Sequence, residues 1–113
     1  MVSEHELAPG DVMSDAQVID VREDYEHDAG HIPGSRHIEV NDLADAVDKL
    51  DRDKPVVFYC RSGDRSTMPA QAMRASGWDA YTLAGGITAW AEGGKALEPE
   101  GGTIADRRPG PRN

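Results

Sequence analysis

The sequence predicts an α/β domain, a small parallel β-sheet with helices on both faces. Three observations carry this. Pro55 to Cys60 is a nearly continuous apolar run, the pattern of a strand buried on both sides. Shorter apolar runs, Gln17 to Val21 and Asp79 to Leu83, alternate with helical stretches, the order that lays strands side by side beneath crossing helices. The length of 113 residues suits one domain with its own core.

The elements follow in order. Gln17-Val18-Ile19-Asp20-Val21 reads as a short buried strand. Residues 22–36 are polar and turn-rich, with Gly30, Pro33 and Gly34, and read as a long loop with room for a helical turn. His37 to Val40 reads as a short extended piece. Asn41 or Asp42 caps a helix over residues 43–50, where Leu43, Ala46, Val47 and Leu50 recur at helical spacing. A helix is predicted over Thr67 to Ser76. Proline is tolerated in a first turn, so Pro69 places the helix start close to the loop before it, and Gly77 caps the far end. Gly85-Gly86 is a hinge into a short helix over Ile87 to Glu92, which Gly93-Gly94 stops. The domain spans residues 1–97. From Glu98 the chain is rich in Pro, Gly and charge and reads as a solvated tail, 98–113, with no core role.

Composition excludes several classes. Twenty-one acids against 12 bases give a formal charge of −9, which argues against nucleic acid and against an anionic membrane surface. No run approaches the ~18 apolar residues of a transmembrane helix. Met1 to Glu6 has neither the basic nor the apolar region of a signal peptide. The single cysteine forms no internal disulfide, so the expected location is the cytoplasm. His5, His27 and His37 have no ligand spacing, so no metal site and no cofactor is expected.

The candidate site is Cys60-Arg61-Ser62-Gly63-Asp64-Arg65-Ser66. It joins the end of the apolar strand to the start of a helix. Unpaired amides and the dipole at a helix start favour an anion, and the same field favours thiolate. A lone cysteine at a strand end is ordinarily inert packing. Inert packing does not require Gly63 for an inward-facing nest of N–H groups, Arg61 and Arg65 for charge, or Ser62 and Ser66 as donors. Arg65 is expected to act on an anionic ligand through charge more than through fold. Asp64 is the odd residue, a negative charge that restrains Arg65, tunes which ligand binds or simply faces solvent.

Four pieces of the chain resemble the rhodanese family of sulfurtransferases. They are Ile19-Asp20-Val21-Arg22-Glu23, Gly30-His31-Ile32-Pro33-Gly34-Ser35, the Cys60–Ser66 loop, and Leu83-Ala84-Gly85-Gly86-Ile87-Thr88-Ala89-Trp90. The resemblance implies a small parallel α/β sheet with helices on both faces. It also implies that Cys60 attacks the sulfane sulfur of thiosulfate or a similar small anionic donor, releases sulfite, and passes the persulfide sulfur to cyanide or a thiol, a protein thiol included. Arg61, Ser62, Gly63, Asp64, Arg65 and Ser66 then bind the donor, Asp20 and Arg22 support the site, and His31 is structural. Trp78 and Trp90 read as packing.

Two other classes compete. A non-turnover sulfur carrier or binding module would charge Cys60 and serve one partner protein. A phosphatase or arsenate reductase shares the strand–loop–helix logic, but phosphatase relatives place five residues between cysteine and arginine, and here four separate Cys60 from Arg65.

Overall fold

The computed structural model describes residues 5–62 and 64–105, with Asp64 described by its backbone alone. Its strands are β1 (Glu6–Leu7), β2 (Gln17–Asp20), β3 (Arg36–His37), β4 (Val56–Tyr59) and β5 (Ala80–Leu83). Its α-helices are α1 (Asp24–Ala29), α2 (Leu43–Ala46), α3 (Asp64–Ala75) and α4 (Gly86–Glu92). The strands form one sheet in the order β1-β5-β4-β2-β3, and every pairing is parallel. Gln17 stands opposite Val56 and Asp20 opposite Tyr59, while Phe58 faces Thr82 on its other side.

All four residues of β4 are fully buried because the strand is central and covered on both faces. Its period of two divides the core. Val56 and Phe58, followed by Cys60, join Leu43, Leu50, Ala70 and Met73 beneath α2 and α3. Val57 and Tyr59 join Leu83 and Ile87 on the opposite side, with Trp90 of α4 packed against them. The chain runs from β2 to β3 at one edge and returns across β2 to β4. The crevice where the direction reverses lies between the carboxyl ends of β2 and β4, the place where open α/β sheets bind ligands.

Several elements differ from the sequence reading. β1 is an added edge strand of two residues. The predicted loop over 22–36 holds the six-residue α1. Helix 43–50 is α-helical only to Ala46 and tightens to a 3₁₀ turn over Val47–Lys49. Asp42 makes no side-chain capping bond there, and Asp45, Val47 and Asp48 are weak helix formers. α3 begins at Asp64 rather than Thr67, which puts Pro69 in the second turn, inside the helix. Pro69 has no N–H for the Arg65 carbonyl one turn back. Gly77, at φ +91°, closes α3: its N–H reaches the Arg74 carbonyl at 3.0 Å, and Trp78 N–H reaches Met73 at 3.0 Å.

The tail is part of the packed structure as far as Ala105. Glu98 pairs with His31 in both directions at 2.8 Å, and Thr103 N–H donates to the Ala29 carbonyl at 2.8 Å. Leu97 and Ile104 lie against the Val57–Tyr59 side of the core. The basic end, 107–113, falls outside the described residues. No helix among the described residues is long and apolar enough to cross a membrane.

Truncation after Ala96 therefore removes core contacts and three backbone hydrogen bonds. At about 1 kcal/mol per bond and per partly buried side chain, about 5 kcal/mol in all, the melting temperature is expected to fall on the order of 15–25 °C. Calorimetry of the two lengths checks this, and an unchanged midpoint would return the segment to a solvated tail.

Candidate active site

The site is built on the carboxyl ends of β2 and β4. Asp20 ends β2 and is fully buried, as is Arg22 two residues on. Arg22 Nε donates to Asp20 Oδ1 at 2.8 Å and Nη2 to Oδ2 at 2.7 Å, a bidentate pair. Nη2 also donates to the Gly30 carbonyl at 2.8 Å, and the guanidinium lies over the Tyr59 ring. His27 Nδ1 donates to Asp20 Oδ2 at 2.9 Å. Burial pushes the Asp20 carboxyl up, but the bonds and charge of Arg22 and the bond from His27 outweigh it, so it lies below its usual value. The Gly30–Ser35 turn is tied to β4 by Tyr59, whose hydroxyl accepts from Ile32 N–H at 3.1 Å and lies 2.9 Å from Ser35 Oγ.

Cys60 follows β4 and is fully buried. Its sulfur lies 3.7 Å from Ser66 Oγ, and Ser66 Oγ lies 2.5 Å from Thr82 Oγ1. Ser66 and Thr82 are both buried, so the sulfur abuts a closed pair of hydroxyls. Ser66 sits in the first turn of α3 and faces Cys60 because α3 starts four residues after it.

α4 fixes the entry to the loop. Ile87 N–H donates to the Cys60 carbonyl at 2.9 Å. Thr88 donates twice to the Arg61 carbonyl, from N–H at 3.2 Å and from Oγ1 at 2.9 Å. These amides are among the four at a helix start that have no partner within the helix. The approach is so close that a Cβ on Gly86 would collide with the carbonyl oxygens of Cys60 and Arg61, and Gly86 also has φ +60°.

The other loop residues fall in different places. Arg61 is half-buried and Ser62 exposed. Gly63 and the Asp64 side chain lie outside the described residues. Arg65 is turned toward α1. Its Nη1 donates to Glu26 Oε1 at 2.7 Å and its Nη2 to Oε2 at 2.9 Å. Glu26 is fully buried and also accepts the Glu23 N–H at 3.1 Å, which caps α1. Burial raises the Glu26 carboxyl, yet the Arg65 bond leads the opposing effects and the net value is lowered. His31 is held by the His27 carbonyl at 2.8 Å and stacks on the His27 ring at 3.9 Å.

Sequence reasoning missed Glu26 and Thr82. Glu26 carries a signal, an acid three residues after a capping position, but the capping residue is Glu23 rather than Ser, Thr, Asp or Asn. Thr82 is a hydroxyl in an apolar strand, and its relation to Ser66 depends on the pairing of β5 with β4.

A family model described as a rhodanese-like domain matches residues 6–93. The chain is 43% identical over 81 residues to the uncharacterised protein YqhL of Bacillus subtilis, 71% of this chain and 63% of that one, so it spans less than two thirds of that relative. It is 40% identical over 76 residues to the thiosulfate sulfurtransferase GlpE of Pseudomonas aeruginosa, 66% of this chain and 69% of that one. Among solved structures, a rhodanese-related protein from Thermoplasma volcanium superposes with a TM-score of 0.79 at 28% identity, over 85% of this chain and 99% of that one.

Two outcomes follow from the buried pairs. Arg65→Ala strands the Glu26 carboxylate and is expected to cost about 3 kcal/mol, with partial recovery in Arg65→Met/Glu26→Gln. The sequence reading gave Arg65 a role through charge, and its bonds to Glu26 add one through fold. Asp20→Asn leaves Arg22 buried without its counter-charge, at about 3–5 kcal/mol. The Asp20 value is lower folded than unfolded. Its contribution is therefore complete above pH ~4 and is lost as pH falls through the folded value. Urea unfolding against pH should show an acid limb that flattens in Asp20→Asn.

Proposed function

Because this chain belongs to the rhodanese family, we propose that it is a sulfurtransferase acting through a persulfide on Cys60. The observation that carries the reading is the placement of the single cysteine at the reversal point of the sheet, against the first turn of α3, with Ser66 Oγ 3.7 Å from its sulfur. The Cys60 thiolate attacks the outer sulfur of thiosulfate or a similar anionic donor. A new S–S bond forms, the S–SO₃ bond breaks with its electron pair, and sulfite leaves. A nucleophilic acceptor then attacks the outer sulfur of the persulfide, and Cys60 returns as thiolate. Cyanide leaves as thiocyanate and a thiolate as its persulfide. The two half-reactions share one enzyme form and so run as ping-pong catalysis.

The negative charge on sulfur needs fixed donors at both stages. Thr82 donating to Ser66 frees the Ser66 proton for the sulfur, which orients a two-hydroxyl relay toward the thiolate. The loop amides from Arg61 to Ser66, and Arg61 itself, supply the remaining donors. α4 braces this loop through Ile87 and Thr88, so its donors are set before the reaction begins. Asp20 and Arg22 support the site at a distance by holding the Gly30 turn.

Burial of Cys60 together with the lack of a second cysteine favours a narrower variant, in which the charged protein passes its sulfur to a partner protein's thiol rather than to free small molecules. The donor's outer sulfur enters the loop, and a protein acceptor presents its thiol on a projecting segment.

Incubation with thiosulfate is expected to add one sulfur atom to the intact mass, and cyanide or a dithiol to remove it. Cys60→Ser should fold, take up no sulfur and lose thiosulfate:cyanide turnover by at least about a thousandfold. Retained turnover in that variant rejects the mechanism. Charging without release to cyanide selects the carrier.

A further inference from the structure

Beside the Asp20–Arg22 pair, three side chains converge that the sulfur chemistry does not use. Asp24 opens α1, His37 ends β3 and Glu39 follows it. One donor atom from each lies within 4.8 Å of the other two.

The tautomer of His37 defines what this convergence can hold. Its Nε2 lies 2.7 Å from the Arg22 carbonyl oxygen. A carbonyl only accepts, so Nε2 carries the hydrogen, and in the neutral ring Nδ1 carries the lone pair. Nδ1 faces Asp24 Oδ1 at 3.5 Å. A ring nitrogen lone pair and two carboxylates thus meet at one point. A ring N–H held by a backbone carbonyl, with the other nitrogen presented outward, is the arrangement that fixes a metal-ligating histidine. The holding carbonyl is itself fixed, because Arg22 N–H and the Arg22 guanidinium are bonded to buried Asp20. The His37 ring is further held by stacking on His27 at 4.7 Å.

We propose that Asp24, His37 and Glu39 bind a divalent first-row transition cation of the class of Zn²⁺. One imidazole nitrogen and two carboxylate oxygens suit that class, whereas Mg²⁺ favours an all-oxygen octahedron. The Asp24 side chain is 79% exposed, so water completes the coordination. The cation ties α1 to β3. Glu26, which grips Arg65 beside Cys60, is on the same short helix, so occupancy stiffens α1 at the end that braces the candidate active site. Sequence spacing conceals the set, because the ligands come from α1 and from the end of β3, which the parallel pairing of β2 with β3 brings together.

The test uses the full chain carrying Cys60→Ser, so that a thiolate does not compete for the metal. Zn²⁺ is titrated against a chromophoric chelator, and the histidine ring nitrogens are followed by long-range ¹H–¹⁵N spectra. One equivalent of Zn²⁺ should move the His37 Nδ1 resonance and leave its Nε2–H in place. Mg²⁺ at the same concentration should do neither. Glu39→Gln should weaken Zn²⁺ by about tenfold or more, and His37→Ala should abolish the site. Glu39→Gln changes a half-buried side chain in size and shape very little, so it serves if His37→Ala does not fold. Unchanged affinity in Glu39→Gln, a zinc-induced shift at another histidine only, or a His37 ring protonated on both nitrogens and unmoved by Zn²⁺, would overturn the proposal.

Discussion

The buried pair of Asp20 and Arg22 is the interaction on which the site end of this molecule depends. Neither charge touches solvent, so neither tolerates loss of the other. The pair is worth keeping for what its spare valences organise. Arg22 reaches the Gly30 carbonyl, Asp20 receives His27, and the Arg22 carbonyl receives His37. A turn, a helix and an edge strand are thereby referred to one ion pair at the carboxyl end of β2. An apolar pair of equal volume would fill the space without directing any of these groups.

From that anchor the Cys60 loop is held on three sides. β4 delivers the cysteine as its next residue. α4 presents its first amides to the Cys60 and Arg61 carbonyls, an approach open only because Gly86 lacks a Cβ. α1 grips Arg65 through Glu26, which at the same time caps its own helix. These restraints act on the backbone and on the far end of the loop, while the sulfur lies against the Ser66 hydroxyl, which Thr82 backs. The proposed persulfide chemistry, which must stabilise a negative sulfur without reorganising, would be served by this separation between what holds the loop and what faces the reacting atom.

The parts legible in the sequence are those with local causes. The β4 strand declares itself as an apolar run, the end of α3 by Gly77, the start of α4 by paired glycines, and the cysteine by position. The parts that were hidden depend on tertiary pairing. α1 lacked a recognisable capping residue because Glu23 does the work through a reciprocal bond with Glu26. Pro69 suggests a later start for α3, since proline suits a first turn, whereas packing of α3 onto β4 and β5 carries it in the second. The segment to Ala105 looked like a solvated tail because its composition is polar, yet two apolar residues, Leu97 and Ile104, and three backbone bonds suffice to seat it.

The partnership of Arg65 with Glu26 bears on how an acidic protein handles an anionic donor. A bidentate pair of opposite charges has little net field beyond a few ångströms, so on the proposed mechanism Arg65 would not draw an anionic donor through a surrounding charge of −9. What remains for attraction is short-ranged: Arg61, the loop amides and the Ser66 hydroxyl. Such groups act only on a donor already in the mouth of the loop. On the proposed mechanism, salt, which screens the repulsive net charge, should raise the rate at low donor concentration rather than lower it. A basic patch steering the donor would give the opposite slope. In this arrangement Arg65 contributes rigidity. It pins the first turn of α3 to α1, and with it Ser66, whose hydroxyl lies 3.7 Å from the sulfur.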